Sequence, residues 1–260
     1  MTGVQTCALP IFYDPENKIE LNSNQVARIC DRATGIGSDG LIRIGKKSDK
    51  WFMDYRNHDG SLAEMCGNGI RLMAKYLVER GLQSEGIFAI DTRDGIKYLS
   101  VPKEGNISVN MGGVSALSND IEVSANGNHW ENGFNISVGN PHAVVFVENV
   151  EAAGDLKVAP KVEPTHEYPD GVNIEFVEFL DNGELKMRVH ERGVGETRAC
   201  GTGTCAVALA ATLKKNQKLP SKWVIYPPGG RLEVEIDGHS NATLIGPAVL
   251  IKDCELDSYL

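Results

Sequence analysis

Two cysteines in this 260-residue chain are set in nearly the same short sequence, Cys66-Gly67-Asn68-Gly69-Ile70 and Cys200-Gly201-Thr202-Gly203-Thr204. Each opens a stretch that reads as a helix. A thiol at a helix N-terminus meets the positive end of the peptide dipole. That lowers its pKa from about 8.5 toward neutrality, so thiol and thiolate are both accessible. Gly67 and Gly201 let a ligand approach the backbone, and the unpaired amides of the first turn form an anion site. Asn68 and Thr202 read as N-cap residues. One such unit could serve a nucleophilic cysteine enzyme. Two suit removal of a proton from one face of a carbon and return of a proton to the other, one sulfur as general base and the other as general acid. A carboxylate held by the helix N-termini would stabilise the charge that develops at the α-carbon.

The elements that must position these cysteines repeat as well. The two lie 134 residues apart, Met53 and Met187 both stand thirteen residues before them, and Asn57 and Glu191 stand nine before. This spacing predicts two copies of one α/β unit. In the first half, helical periodicity covers Asn22–Arg32 and the stretch from Cys66 to Arg80; strand patterns cover 41–44, 51–56, 87–91, 97–101 and 107–111. In the second, strands are expected at 134–138, 143–148, 172–180, 184–190, 223–226, 231–236 and 242–245, with a helix from Cys200 to Lys215. Asp181-Asn182-Gly183 reads as a hairpin turn. The expected domains are residues 1–112 and 113–246, with Ala248–Ile251 as one more strand in a tail, 247–260, that returns to the first domain.

Composition narrows the function classes. The net charge is −9 without a long basic run, which argues against nucleic acid and anionic membranes as partners. No apolar run approaches the ~18 residues that span a bilayer. Met1–Phe12 lacks a basic residue and is broken by Pro10, so it reads neither as a secretory signal nor as a first strand. A cytoplasmic protein is expected, with its six cysteines (7, 30, 66, 200, 205 and 254) as free thiols. With no CxxC pair, no HExxH and no close His/Cys cluster, no metal site is expected.

Four strings carry a family resemblance: Asn57-x-Asp59-Gly60-Ser61; Cys66-Gly67-Asn68-Gly69-Ile70-Arg71; Gly139-Asn140-Pro141-His142; and Glu191-Arg192-Gly193-x-Gly195-Glu196-Thr197-x-Ala199-Cys200-Gly201-Thr202-Gly203. Together they closely resemble diaminopimelate epimerase, from about Tyr13 to the C-terminus. The resemblance implies an α/β (α+β) fold of two pseudo-symmetric mixed-sheet domains, each wrapped around a central helix, with the site in the cleft between them, as a homodimer. It implies cofactor-independent interconversion of LL- and meso-2,6-diaminoheptanedioate, on the route to lysine and cell-wall precursors. By resemblance Cys66 and Cys200 are the acid/base pair. Gly67, Asn68, Gly201 and Thr202 hold the α-carboxylate. Asn57, Asn140, Asn173, Glu191 and Arg192 line the substrate site, and His142 with Glu191 tunes the thiols. One departure stands out: the family's Gly-Asn-Asp-Phe segment, whose Asn binds substrate, falls near Cys7–Pro10 and is absent there.

Competing readings attach to the same residues. A proline or hydroxyproline racemase-type enzyme would use the same two thiols on a substrate with one charged end; Asn57, Asn173, Glu191 and Arg192 better suit a second amino-acid head group. A cysteine hydrolase with His142 as base leaves one matched cysteine unexplained. A degenerate, non-catalytic homologue is the third reading. Cys30, Cys205 and Cys254 read as buried small hydrophobes. Glu196 reads as a brace for its loop, and His58, His129, His166, His190 and His239 as structural or solvent-exposed.

Overall fold

The computed structural model describes residues 9–251 and Asp253. Among them the chain forms two compact units, one of residues 9–109 with 246–251 and 253, the other of residues 110–245. Cys7 and Cys254 lie outside the described residues.

In the first unit, β1 (Ile11–Tyr13) is followed by α1 (Ser23–Cys30), β2 (Gly40–Lys47), β3 (Lys50–Asn57), α2 (Gly67–Glu79), β4 (Gly86–Thr92), β5 (Gly95–Val101) and the start of β6 (Ile107–Gly113). The strands lie in the order β1-β2-β3-β4-β5-β6, with β1 parallel to β2 and β3 parallel to β4 and the rest antiparallel. Helix α1 starts at a capping box between Asn22 and Gln25 and buries Val26, Ile29 and Cys30 against Leu21 and Leu41. Helix α2 buries Ile70, Met73, Ala74 and Leu77 at helical spacing, packing on β2, β3 and β5.

In the second unit come β7 (Ser115–Ala125), β8 (Asn128–Ser137), β9 (Pro141–Phe146), β10 (Lys161–Glu163), β11 (Asn173–Phe179), β12 (Leu185–Glu191), β13 (Gly195–Thr197), α3 (Gly201–Lys214), β14 (Ser221–Tyr226), β15 (Leu232–Ile236) and β16 (Asn241–Gly246). Its strand order is β16-β15-β14-β12-β11-β9-β8-β7-β10, with β13 folded back on β12. The sheet is mixed: β9–β11 and β12–β14 pair in parallel. Every α3 residue from Gly203 to Thr212 is buried, so this helix is apolar on all sides and the sheet wraps it, with contacts from β7, β8, β9, β11, β14 and β15. Its two buried threonine hydroxyls bond back one turn: Thr204 Oγ1 to the Cys200 carbonyl at 2.6 Å and Thr212 Oγ1 to the Ala208 carbonyl at 2.8 Å.

The expected α+β class, with mixed sheet around one long helix per unit, is what the chain adopts. Two expectations are corrected. Ala248–Ile251 forms no strand: its apolar side chains at Val249 and Ile251 are about 70% exposed, and no ladder pairs them. Conversely, the segment that reads unlike a first strand supplies one. Ile11–Tyr13 runs parallel to Ile42–Ile44, tied on either side by Ile42 N–H to the Pro10 carbonyl and Asp14 N–H to the Ile44 carbonyl. Pro10 needs only to accept there, so its missing N–H costs nothing.

Candidate active site

Cys66 and Cys200 are the N-caps of α2 and α3. Both have extended backbone (φ −131°, ψ 116° and φ −117°, ψ 121°), and each sulfur accepts the amide N–H of the third helical residue, Gly69 or Gly203, at 3.4 Å. This corrects the expectation that Asn68 and Thr202 cap the helices. Those residues are already helical, and the half-outside position that can reach back to the third amide belongs to the cysteine.

Around Cys66, Arg71 is buried and holds the first turn of α2. Its Nη1 donates to the Gly67 carbonyl at 3.1 Å and its Nη2 to Asn68 Oδ1 at 2.8 Å, which fixes the Asn68 carboxamide. Asn57, at the end of β3, donates to Ser61 Oγ at 3.0 Å, and Asp59 accepts from both the amide and the hydroxyl of Ser61. The loop that follows is clamped by Arg93, whose Nη1 donates to the carbonyls of Tyr55 at 2.9 Å and Ala63 at 3.0 Å. Arg93 is in turn anchored on Asp54, which Arg56 also contacts. Burial works to raise the Asp54 carboxyl, but hydrogen bonds from Arg93 and Arg56 outweigh it and hold the group below the usual carboxylate range.

Around Cys200 the structure gathers more of the expected residues. Thr202 Oγ1 lies 3.5 Å from Cys200 Sγ and accepts from Asn140 Nδ2 at 3.4 Å. His142 is fully buried, with Nε2 3.0 Å from Asn140 Oδ1 and Nδ1 2.7 Å from Glu175 Oε1. Glu191, the last residue of β12, accepts the Thr197 hydroxyl from β13 and interacts with the Cys200 thiol. Asn173 clamps backbone on both sides: Nδ2 donates to the Pro141 carbonyl at 3.0 Å, and Oδ1 accepts from the Arg192 amide at 3.0 Å. The Arg192 side chain is exposed, with Nη1 at 3.4 Å from the Asp170 carbonyl.

These surroundings reverse one expectation about the thiols. The Cys200 side chain is pushed well above the ordinary cysteine range, by burial first and then by the Glu191 and Glu175 carboxylates. The Thr202 hydroxyl and Gly203 amide only partly oppose them. Glu191 is itself raised by burial, against the hydrogen bonds from Thr197 and Cys200. The helix N-terminus alone predicts a more acidic thiol; desolvation and two nearby carboxylates are the larger effect. Burial and the neighbouring carboxylates thus favour the thiol form of Cys200, beside a carboxyl that binds protons more readily than usual, an arrangement able to hand on a proton.

Three residues in this constellation escape a reading of the sequence. Arg71 and Thr197 lie inside the quoted strings without an assigned role. Glu175 lies outside them, two residues after Asn173 on one strand, so both point to the same sheet face. An acidic residue in an inward register was the signal available. Glu196 does brace its loop, through a two-pronged contact from Arg188 at 2.7 and 2.9 Å. Elsewhere in the second unit, a cavity of about 650 Å³ lined by Glu151, Lys186, Arg188 and Tyr226 contains none of the cysteine-site residues. Among the described residues one group has metal-ligand chemistry, the exposed Glu122, His129 and Glu131 on the β7–β8 hairpin.

The profile of the family described as diaminopimelate epimerase matches residues 1–117 and 134–251. The chain is 42% identical over 264 residues to a diaminopimelate epimerase of Streptomyces coelicolor, covering 95% of this chain and 91% of that protein. It is 41% identical over 277 residues to one of Rhodococcus jostii, covering 95% and 92%. Among solved structures it resembles a phenazine biosynthesis protein of the PhzF family from Bacillus anthracis, with a TM-score of 0.71 at 16% identity over 89% of this chain and 88% of that one. It also resembles a hydroxyproline epimerase from Agrobacterium vitis, with a TM-score of 0.63 at 15% identity over 86% and 77%. At those identities the structural likeness speaks to the fold alone.

Proposed function

The chain belongs to the diaminopimelate epimerase family, and from that premise we propose that it is an isomerase interconverting LL- and meso-diaminopimelate by two-cysteine acid/base catalysis. The observation that carries this reading is the duplicated cap. In each unit a cysteine sulfur accepts the third helical amide at 3.4 Å, beside first-turn amides suited to a carboxylate. One thiolate takes the α-proton, and the other thiol delivers a proton to the opposite face of the same carbon. The bond to hydrogen breaks and re-forms, no electrons leave the substrate, and the two sulfurs exchange protonation states. Cys200, held protonated by burial and Glu191, is suited to the donor role, with Cys66 as its partner in the exchange.

Gly67, Asn68, Gly201 and Thr202 bind the α-carboxylate in this reading, with Asn57 and Asn140 alongside. Arg192 takes the distal carboxylate, for which its planar fork is suited. Asn173 contributes by holding the Pro141 and Arg192 backbones. The proposed chemistry needs no cofactor. A homodimer in the cytoplasm, serving lysine biosynthesis, is the form we propose. The thiols of Cys30 and Cys200, which form no disulfide, support a reducing compartment, and no helix among the described residues is long and apolar enough to cross a membrane.

The test is α-proton exchange in D₂O, run with LL-diaminopimelate and in parallel with proline and hydroxyproline. Deuterium entering diaminopimelate, with conversion to the meso isomer, is expected. Exchange only in the cyclic imino acids would replace this reading with the racemase one, and exchange in neither would leave a non-catalytic homologue.

A further inference from the structure

The two units are built alike under their cysteines, and one difference between them is chemical. A Cβ placed on Gly69 of α2 would lie 3.2 Å from Ile42 Cδ1 and 3.4 Å from Leu9 Cδ1. At Gly203 of α3 it would lie 2.6 Å from Glu175 Oε1. Strand register makes the match complete. Ile42 pairs in parallel with Ile11, two residues after Leu9, and Glu175 pairs in parallel with Val144, two residues after His142. The places that Ile42 and Leu9 fill in one unit are therefore held in the other by Glu175 and His142, both with no exposed surface.

The fold does not require polar groups there, since the first unit fills the same places with apolar side chains. Burying a carboxylate and an imidazole costs desolvation that two well-packed apolar residues avoid. Glu175 Oε2 adds to that cost, being buried with no hydrogen-bond partner among the described residues. A buried pair kept against such a cost calls for a role other than filling space. The contacts of His142 indicate it. Glu175 Oε1 and Asn140 Oδ1, which face its two ring nitrogens, are both acceptors, so the ring donates from both. With its oxygen turned toward His142, the Asn140 carboxamide has only its NH₂ group left for Thr202 and for whatever binds at the α3 N-terminus.

We infer that Glu175 is a positioning residue: through His142 it fixes which way the Asn140 carboxamide points, so that a donor and not a carbonyl oxygen is presented beside Thr202. The inference rests on the epimerase reading, in which that N-terminus receives the substrate carboxylate. A neutral Gln at 175 no longer favours a doubly donating ring. His142 Nε2 then becomes an acceptor, Asn140 rotates to give it an N–H, and the carbonyl oxygen faces the carboxylate and repels it.

Glu175→Gln tests this. The KM for diaminopimelate is expected to rise about tenfold or more, the size of one lost hydrogen bond to a charged group, with kcat falling less. The ¹⁵N–¹H signals of the Asn140 carboxamide, assigned by their absence in Asn140→Asp, are expected to move. A second variant carries Glu175→Ile with His142→Leu, the pair already present in the first unit. It is expected to fold, with thermal stability at or above that of the parent, and to show the same KM defect. Parental KM and parental amide signals in Glu175→Gln would overturn the inference. So would unfolding of both variants, which would make the pair structural. If the parent turns over no diaminopimelate, the epimerase reading falls, while the amide signals still decide the role of Glu175.

Discussion

Glu191 lies beside the Cys200 thiol and, after burial itself, is the strongest influence keeping that thiol protonated. Glu191→Gln removes this charge while keeping the shape. The Cys200 ionisation is then expected at lower pH than in the parent. Alkylation of the Cys200 peptide, followed by mass spectrometry across a pH series, should begin earlier in the variant. Turnover should fall by about two orders of magnitude, the usual size of a lost proton relay. An alkylation profile identical to the parent's would remove Glu191 from this role.

The cysteines themselves give the plainest contrast. Cys66→Ala and Cys200→Ala should each abolish conversion of either pure isomer, because each face of the carbon needs its own proton carrier. Cys30, buried in the α1 core, serves as the control. Cys30→Ala is expected to cost about 1 kcal/mol of stability and leave turnover within a few-fold of the parent. Full activity in either catalytic variant would end the two-base mechanism.

Arg192 is exposed rather than enclosed, so its contribution is expected at the lower end for a charged contact. Arg192→Ala should reduce kcat/KM for diaminopimelate by about tenfold to a hundredfold, or ~1.4 to 2.8 kcal/mol, with Arg192→Lys between the two. Unchanged turnover would point to a substrate with a single charged end.

Gly203 tests how tightly Glu175 is packed. Alanine in the first turn of α3 would gain about 1 kcal/mol of helix propensity. Its Cβ, however, would sit 2.6 Å from the Glu175 carboxylate, and relieving that overlap costs about 1–3 kcal/mol. The net change is expected to be destabilising. Gly69→Ala meets Ile42 Cδ1 at 3.2 Å, Cys66 Cβ at 3.3 Å and Leu9 Cδ1 at 3.4 Å, none as close as the Glu175 contact, and should be closer to neutral. Thermal denaturation of the two variants side by side checks the order; a more stable Gly203→Ala would contradict the crowding.

Asp54 supports the approach to Cys66 through Arg93. Its folded-state carboxyl titrates below the unfolded value, so its contribution is fully present above pH ~4 and is lost as pH falls through the folded value. Asp54→Asn strands Arg93 and Arg56 and is expected to cost on the order of 3 kcal/mol at neutral pH. The gap between parent and variant should narrow below pH ~4, which urea titrations at several pH values would reveal. A gap that widened in acid would refute the assignment.

The local elements were legible because each has a one-dimensional signature. The 3.6-residue stripe Ile70, Met73, Ala74 and Leu77 places α2, the alternation through 172–180 places β11, and Asp181-Asn182-Gly183 places the turn after it. The recurrence of a cysteine before Gly-x-Gly announced the duplication and both helix N-termini. Strand β7 was illegible: its residues are mostly polar and exposed, only Ile121 and Val123 among its eleven are buried in the core, and pairing with β8 and β10 carries the rest. The chemistry at Cys200 was illegible for a related reason. A helix N-terminus predicts an acidic thiol from local sequence. The opposite shift comes from burial and from Glu175 and Glu191, which reach the sulfur from strands β11 and β12. Sequence by itself determined which side chains were available and at which helix start each cysteine would stand, though not that the cysteine itself would be the cap. Only the tertiary structure decided that Gly69, in the turn after one cysteine, lies against Ile42 and Leu9 while Gly203, in the turn after the other, lies against the buried Glu175 carboxylate, because desolvation and through-space charge depend on distance in three dimensions, which strand pairing sets.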